Sequence, residues 1–170
     1  LGAFVTLFYL ASGLGQAAAG VLVDRYGAPR LLAAGLVLLS GSIALAGFAG
    51  SYWQLLPLAP IAGLGNSIFH PADLSILSHR VSEGRLGRAY AVHGISGSLG
   101  YATSPVLVTL IAFHANWHVA LIAIGLVGLA VAAITFANRS LLDYAHAAAA
   151  HVEGTARRAP YLQVIGTPVV

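Results

Sequence analysis

The sequence has no cysteine, no lysine and no methionine, and only 8% of its 170 residues are charged. Without cysteine, disulfides and thiol chemistry are excluded. Without methionine there is no translation start, and Leu1 is not the small residue that usually follows a removed initiator, so a fragment of a longer protein is expected. The scarcity of charge excludes an ordinary soluble domain, which carries about 25% charged residues. What fills the space is oil: 58% of the residues are hydrophobic and the mean hydropathy is +0.85. A soluble chain of this length could not hide so much apolar surface, so an integral membrane protein is expected. The opening LGAFVTLFYLASGLG has neither a basic leader nor an A-x-A cleavage pattern and does not read as a signal peptide. The net charge of +3 comes from arginines scattered among short connectors, which does not suggest nucleic acid as a partner.

A helical span needs about 20 apolar residues. Residues 1–23, 31–72 and 89–138 contain no Asp, Glu, Lys or Arg. The second run is long enough for two spans and breaks at GFAGSYW, 47–53. The third breaks at FHANWH, 113–118. The spacing predicts five helices, near 1–23, 30–49, 53–78, 86–112 and 117–137, making a transmembrane bundle over 1–137. Strand-built barrels show short alternating segments instead. Arg25 and Arg30 fall between the first two helices, Arg80, Arg85 and Arg88 between the third and fourth, and Arg139, Arg157 and Arg158 after the fifth. Every arginine therefore lies on one side, which the positive-inside rule makes cytoplasmic. Residues 138–170 read as a cytoplasmic loop and the possible start of another helix, with LLDYAHAAAAH as a candidate surface helix.

The stretch GVLVDRYGAPR, 20–30, concentrates charge between two apolar runs. Gly20 allows close approach of a neighbouring helix. Asp24 sits at the membrane edge, where a carboxylate can face a helix N-terminus. Arg25 offers a fork for a carboxylate, and Arg30 anchors at the headgroups. Gly27 suits the left-handed residue that ends a helix, and Pro29 the first turn of the next. This pattern, G-x-x-x-D-R-x-G-x-x-R, resembles the loop between the second and third helices of the major facilitator superfamily. The resemblance covers nearly the whole chain. It implies that the five spans are helices two to six of a twelve-helix transporter, forming most of its N-terminal six-helix half. The missing first helix and C-terminal half would then be partners, along with the lipid bilayer, a small-molecule substrate and protons. A bacterial inner membrane is the expected location.

A second stretch, 63–106, carries N-x-x-x-H-P-A-D, then R-L-G-R-A, then V-H-G-I-S-G-x-L-G. It resembles the fosmidomycin-resistance type of efflux transporter within that superfamily, which implies export of small molecules driven by proton entry, with no cofactor. The chain departs from related drug–proton antiporters in having Ala59 and Pro60 where many carry an arginine, and in separating Gly100 from Pro105 by YATS.

Asn66, His70 and Asp73 are spaced to share one helical face. Ionisable groups within a span usually face the protein interior or a water-filled cavity. Asp73 has two readings: a latch paired with Arg25, or a proton carrier. An imidazole can take up and release a proton, so His70 and His93 are further candidates for a proton relay. Alternatively, His70 is a neutral side chain bonded to a carbonyl freed by Pro71. Tyr9, Gln16, Asn66 and Tyr101 are candidate cavity-lining groups. Gly94, Gly97 and Gly100 are expected to permit tight helix packing. His114 and His118 form H-x-x-x-H, which reads as interface residues beside Trp117 rather than a metal site. G-x-S-G around Ser96 leaves an intramembrane serine protease as a remote rival. An uptake carrier on the same fold is the nearer one, and a membrane scaffold a third.

Overall fold

The structure, a computed structural model, describes residues 2–142. Eight helical segments follow one another: α1 (Gly2–Tyr26), α2 (Ala28–Ala46), α3 (Tyr52–Leu55), α4 (Leu58–Ser67), α5 (Phe69–Arg80), α6 (Glu83–His114), α7 (Trp117–Ala137) and α8 (Arg139–Leu142). No strand occurs among the described residues. The all-α membrane architecture expected from composition is what the chain adopts. The segment LLDYAHAAAAH extends beyond the described residues, as does nearly all of 138–170.

Four of these helices, α1, α2, α6 and α7, are each long and apolar enough to cross a membrane. The expected helix near 53–78 is instead divided into α3, α4 and α5. Proline accounts for both divisions. Pro57 lies in the turn before α4, with φ −67 and no N–H to continue α3. Pro71 cannot donate to the carbonyl of Ser67 and clashes with it. The chain yields at Ile68, whose N–H reaches back only three residues to Gly65 O at 3.4 Å. Pro105, by contrast, is accommodated inside the continuous α6.

Local chemistry sets the other ends. Asn116 caps α7, its Oδ1 accepting from Val119 N at 2.9 Å. Gly27 separates α1 from α2 with φ 87 and ψ 135, the only positive φ among the described residues. Its N–H still donates to Val23 O at 2.9 Å, and Pro29 follows in the first turn of α2.

α2 is the hub. It packs against α4 and α5 on one side and α7 on the other, while α1 lies along α4 and α6 along α7 and α5. The interior is built from small residues: Ala19, Ala28, Ala33, Ala59, Ala62, Ala72, Ala120 and Ala132 are buried, and no large side chain is fully so. The large apolar side chains point outward, among them Leu14, Val21, Leu126 and Ile134. In a bilayer this arrangement is economical, because lipid tails are as apolar as leucine and association rests on close backbone approach. Gly35 and Gly65 show it directly: a Cβ added to either would lie 2.8 or 2.7 Å from the other's carbonyl oxygen. Gly63 faces Phe8 O, Gly15 faces Ser67, and Gly125 faces Ala44 in the same way. At the end holding Gly27, Val23, Ala28, Ile68 and Ala72 form a cluster that ties the α1–α2 turn to α5.

Candidate functional site

The candidate site residues Tyr9, Gln16, Asn66, His70, Asp73, His93 and Tyr101 lie on α1, α4, α5 and α6, while the buried Ser40 and Ser42 lie on α2. Asp73 on α5 faces His93 on α6, with Oδ2 3.6 Å from Nε2. The carboxylate side chain is 23% exposed and the imidazole 43%, so the pair sits at the edge of packed protein with access to whatever fills the space beside it. That space is a groove of about 380 Å³ lined by His70, Leu74, His93, Gly97, Ser98 and Tyr101. Of the segments on either side of Ile68, α5 is the one through which this region meets α6.

The sequence spacing placed Asn66, His70 and Asp73 on one helical face. The break separates them: Asn66 ends up on α4, and its Nδ2 donates to Ser12 Oγ on α1 at 2.9 Å. His70 and Asp73 stay together on α5. The Asp73–Arg25 pair is not formed. Arg25 instead lies over the ring of its neighbour Tyr26, 5.4 Å from the centroid, and His93 takes the place facing the carboxylate. Tyr9 and Tyr101 approach each other across α1 and α6, their hydroxyls 3.4 Å apart. Gln16 is exposed on α1.

The packing glycines are distributed differently from expectation. A Cβ at Gly94, Gly97 or Gly100 would meet nothing within 4 Å, and neither would one at Gly20. The cause is position: α6 is the peripheral helix, with no buried residue, and Gly94 and Gly97 line the open groove. The tight crossings use Gly35, Gly63, Gly65, Gly125 and Gly128, to which the sequence pattern assigns no role. A signal was available in the run of small residues Ser40, Ala44 and Gly47 opposite Gly125 and Gly128. Ser12, buried at 4% and partner to Asn66, was also missed; a lone serine in an apolar run carries no such signal.

In the loop pattern, Gly27 has a positive φ, but its ψ of 135 is extended rather than the left-handed helical value expected of a residue that ends a helix, while Asp24, Arg25 and Arg30 are exposed. His118 is structural in this arrangement. Its Nδ1 is 2.8 Å from Gly47 O and its ring stacks on Trp117 at 3.7 Å, joining the ends of α2 and α7. His114 lies edge-on to Phe113. Ser96 donates its hydroxyl to Val92 O at 2.8 Å within its own helix.

A helical, lipid-facing bundle with this loop pattern is matched by the Major Facilitator Superfamily profile over residues 1–168. The chain belongs to the major facilitator superfamily. It is thus a multi-pass membrane protein from a family of transporters rather than enzymes. It is 32% identical to the fosmidomycin resistance protein of Escherichia coli (strain K12) over 111 residues, covering 65% of this chain and 27% of that one. It is 26% identical to a probable L-galactonate transporter of the same organism, covering 95% of this chain and 34% of that one. The niacin transporter NiaP of Acinetobacter baylyi is also 26% identical, over 89% of this chain and 37% of its own length. The chain thus spans between about a quarter and somewhat over a third of the length of these relatives. No solved structure matches it.

Proposed function

We propose that the chain supplies five spans of a proton-coupled secondary transporter that exports a small molecule by alternating access. In this reading α4 and α5 act together as one broken span, the arginine-bearing turns face the cytoplasm of a bacterium, and the remaining spans come from the rest of a longer protein. The observation that carries the reading is the Asp73–His93 pair at 3.6 Å beside a groove shared with His70. A carboxylate and an imidazole at this distance form an ion pair when the imidazole is protonated and lose their attraction when the carboxylate takes the proton. The two forms differ by one proton, which either side chain can carry. A pair bridging α5 and α6 thereby couples proton occupancy to the relation between two spans, which is the differential contact that alternating access needs. Arg25, free of the carboxylate in this conformation, remains available as a latch in another.

The test is Asp73→Asn in the complete transporter, reconstituted in vesicles with an imposed pH gradient. Gradient-driven accumulation is expected to fall at least tenfold while substrate binding is kept. Unchanged coupling in the variant would remove Asp73 from the proton path.

Uptake on the same fold is the second reading, favoured by the names of the L-galactonate and niacin relatives. Export against protons requires an inwardly directed proton gradient to drive substrate out, whereas symport draws substrate in. The sign of substrate movement under one imposed gradient separates the two.

A further inference from the structure

A second groove runs between α2 and α7 and shares no residue with the site above. Toward Gly47 the two helices cross closely, Gly125 against the backbone of Ala44 and Gly128 against the side chain of Ser40. In the other direction Ala33, Ala34, Ala132 and Ala133 offer only methyl groups, and a trough of about 600 Å³ opens between the helices, with Phe136 lining it toward the end of α7. No acidic residue lines it.

Two guanidinium groups stand at that end. Arg30 lines the groove itself. Arg139 lies over the ring of Phe136, 4.1 Å from its centroid, and gives one N–H to Phe136 O at 3.3 Å. α8, which begins at Arg139, touches α2, so both arginines belong to one end of the helix pair. Among the described residues Arg30 has no hydrogen bond or ion pair. An apolar trough with cations at one end only is complementary to a molecule with a hydrocarbon tail and an anionic head. Basic pockets between membrane helices suit lipid headgroups, and the guanidinium fork suits phosphate oxygens.

We propose that this groove seats an anionic phospholipid, one acyl chain lying along the alanines and the phosphate held between Arg30 and Arg139. The proposal does not depend on the direction or coupling of transport. The probe is native mass spectrometry of the purified chain, released from micelles containing equal amounts of phosphatidylglycerol and phosphatidylcholine. Phosphatidylglycerol adducts are expected to predominate. R30Q and R139Q should each lower their retention about fivefold, from the attraction of a single basic residue at a membrane surface. A133F leaves the charge intact and fills the trough, and should also lower retention; Ala34→Leu serves the same purpose if circular dichroism shows A133F to be unfolded. Arg85→Gln, on the α6 side of the bundle, should change nothing. Equal retention of phosphatidylglycerol and phosphatidylcholine, or undiminished phosphatidylglycerol binding by the R30Q/R139Q double variant, would overturn the proposal. So would full binding by a folded trough-filling variant, which would reduce the site to surface charge alone.

Discussion

Gly20 and Gly27 belong to the same loop pattern, yet only one needs to be glycine for a reason visible in this structure. Gly27 has φ 87 and ψ 135, a conformation that side chains with a Cβ rarely adopt, although nothing crowds the position. The cost of replacing it is therefore in the backbone itself. Gly27→Ala is expected to lower stability by about 1–3 kcal/mol, the usual range for a strained backbone position. Gly20→Ala sits in a helix with open space around it, and should be neutral or gain up to about 1 kcal/mol from helix propensity. Denaturant unfolding of both variants in micelles, followed by helical circular dichroism, checks the pair. Equal losses would mean that the turn does not depend on the φ of Gly27. The same contrast shows what a sequence can reveal at this scale. A conformational need leaves a local mark, here a glycine followed two residues later by a proline. A packing need depends on the other helix, so the sequence points to Gly20 and Gly100 as packing positions and passes over Gly65, whereas the crossings reverse the two. For the same reason Asp73 was legible as a functional candidate but His93 was not legible as its partner: charge in a span is conspicuous, whereas pairing depends on how α5 and α6 meet.

Among the elements, the apolar runs were legible because lipid leaves no alternative to long, internally bonded helices. The broken segment was harder to read. Hydropathy makes FHPADLSILSHR continuous with the run before it, and Pro71 signals a lost N–H and a freed carbonyl without saying that the span divides into α4 and α5 at Ile68. The break matters to the site, since it separates Asn66, bonded to Ser12, from Asp73, facing His93. The seam between α2 and α7 tests whether small residues hold these elements together. A Cβ at Gly125 would lie 2.5 Å from Ala44 N and 2.7 Å from Ala44 Cα, and backbone atoms cannot move aside as a flexible side chain would. Gly125→Leu should cost at least the 1–3 kcal/mol of ordinary overpacking, approximately. Gly100→Leu, on the exposed side of α6, should cost nothing. Thermal unfolding in micelles distinguishes them, and a stable Gly125→Leu variant would show that α2 and α7 are not held by this crossing.

For the whole molecule, the helix pairings and the arginine distribution converge on one orientation. His118 bonded to Gly47 puts the α2–α3 and α6–α7 turns at one end of the bundle. The cluster of Val23, Ala28, Ile68 and Ala72 holds the α1–α2 turn against α5 nearer the other end. That second end also carries the α5–α6 connection and the end of α7, and with them Arg25, Arg30, Arg80, Arg85, Arg88 and Arg139. The first end has Trp53 and Trp117, side chains suited to the membrane–water interface. Because basic residues in short loops are retained on the cytoplasmic side, the arginine end is expected to face the cytosol. Reporter fusions in a bacterial host provide the measurement. A phosphatase that is active only after export should report at Ser51 and Asn116, and a reporter active only in the cytoplasm should report at Arg85 and Arg139. If Ser51 and Arg85 reported from the same compartment, the crossing made by α4 and α5 would be lost, and Asp73 and His93 could not lie within one membrane-spanning bundle. If the two ends were exchanged, the bundle would stand but the arginine-bearing turns would face the outside, against the rule that basic loops stay in the cytoplasm.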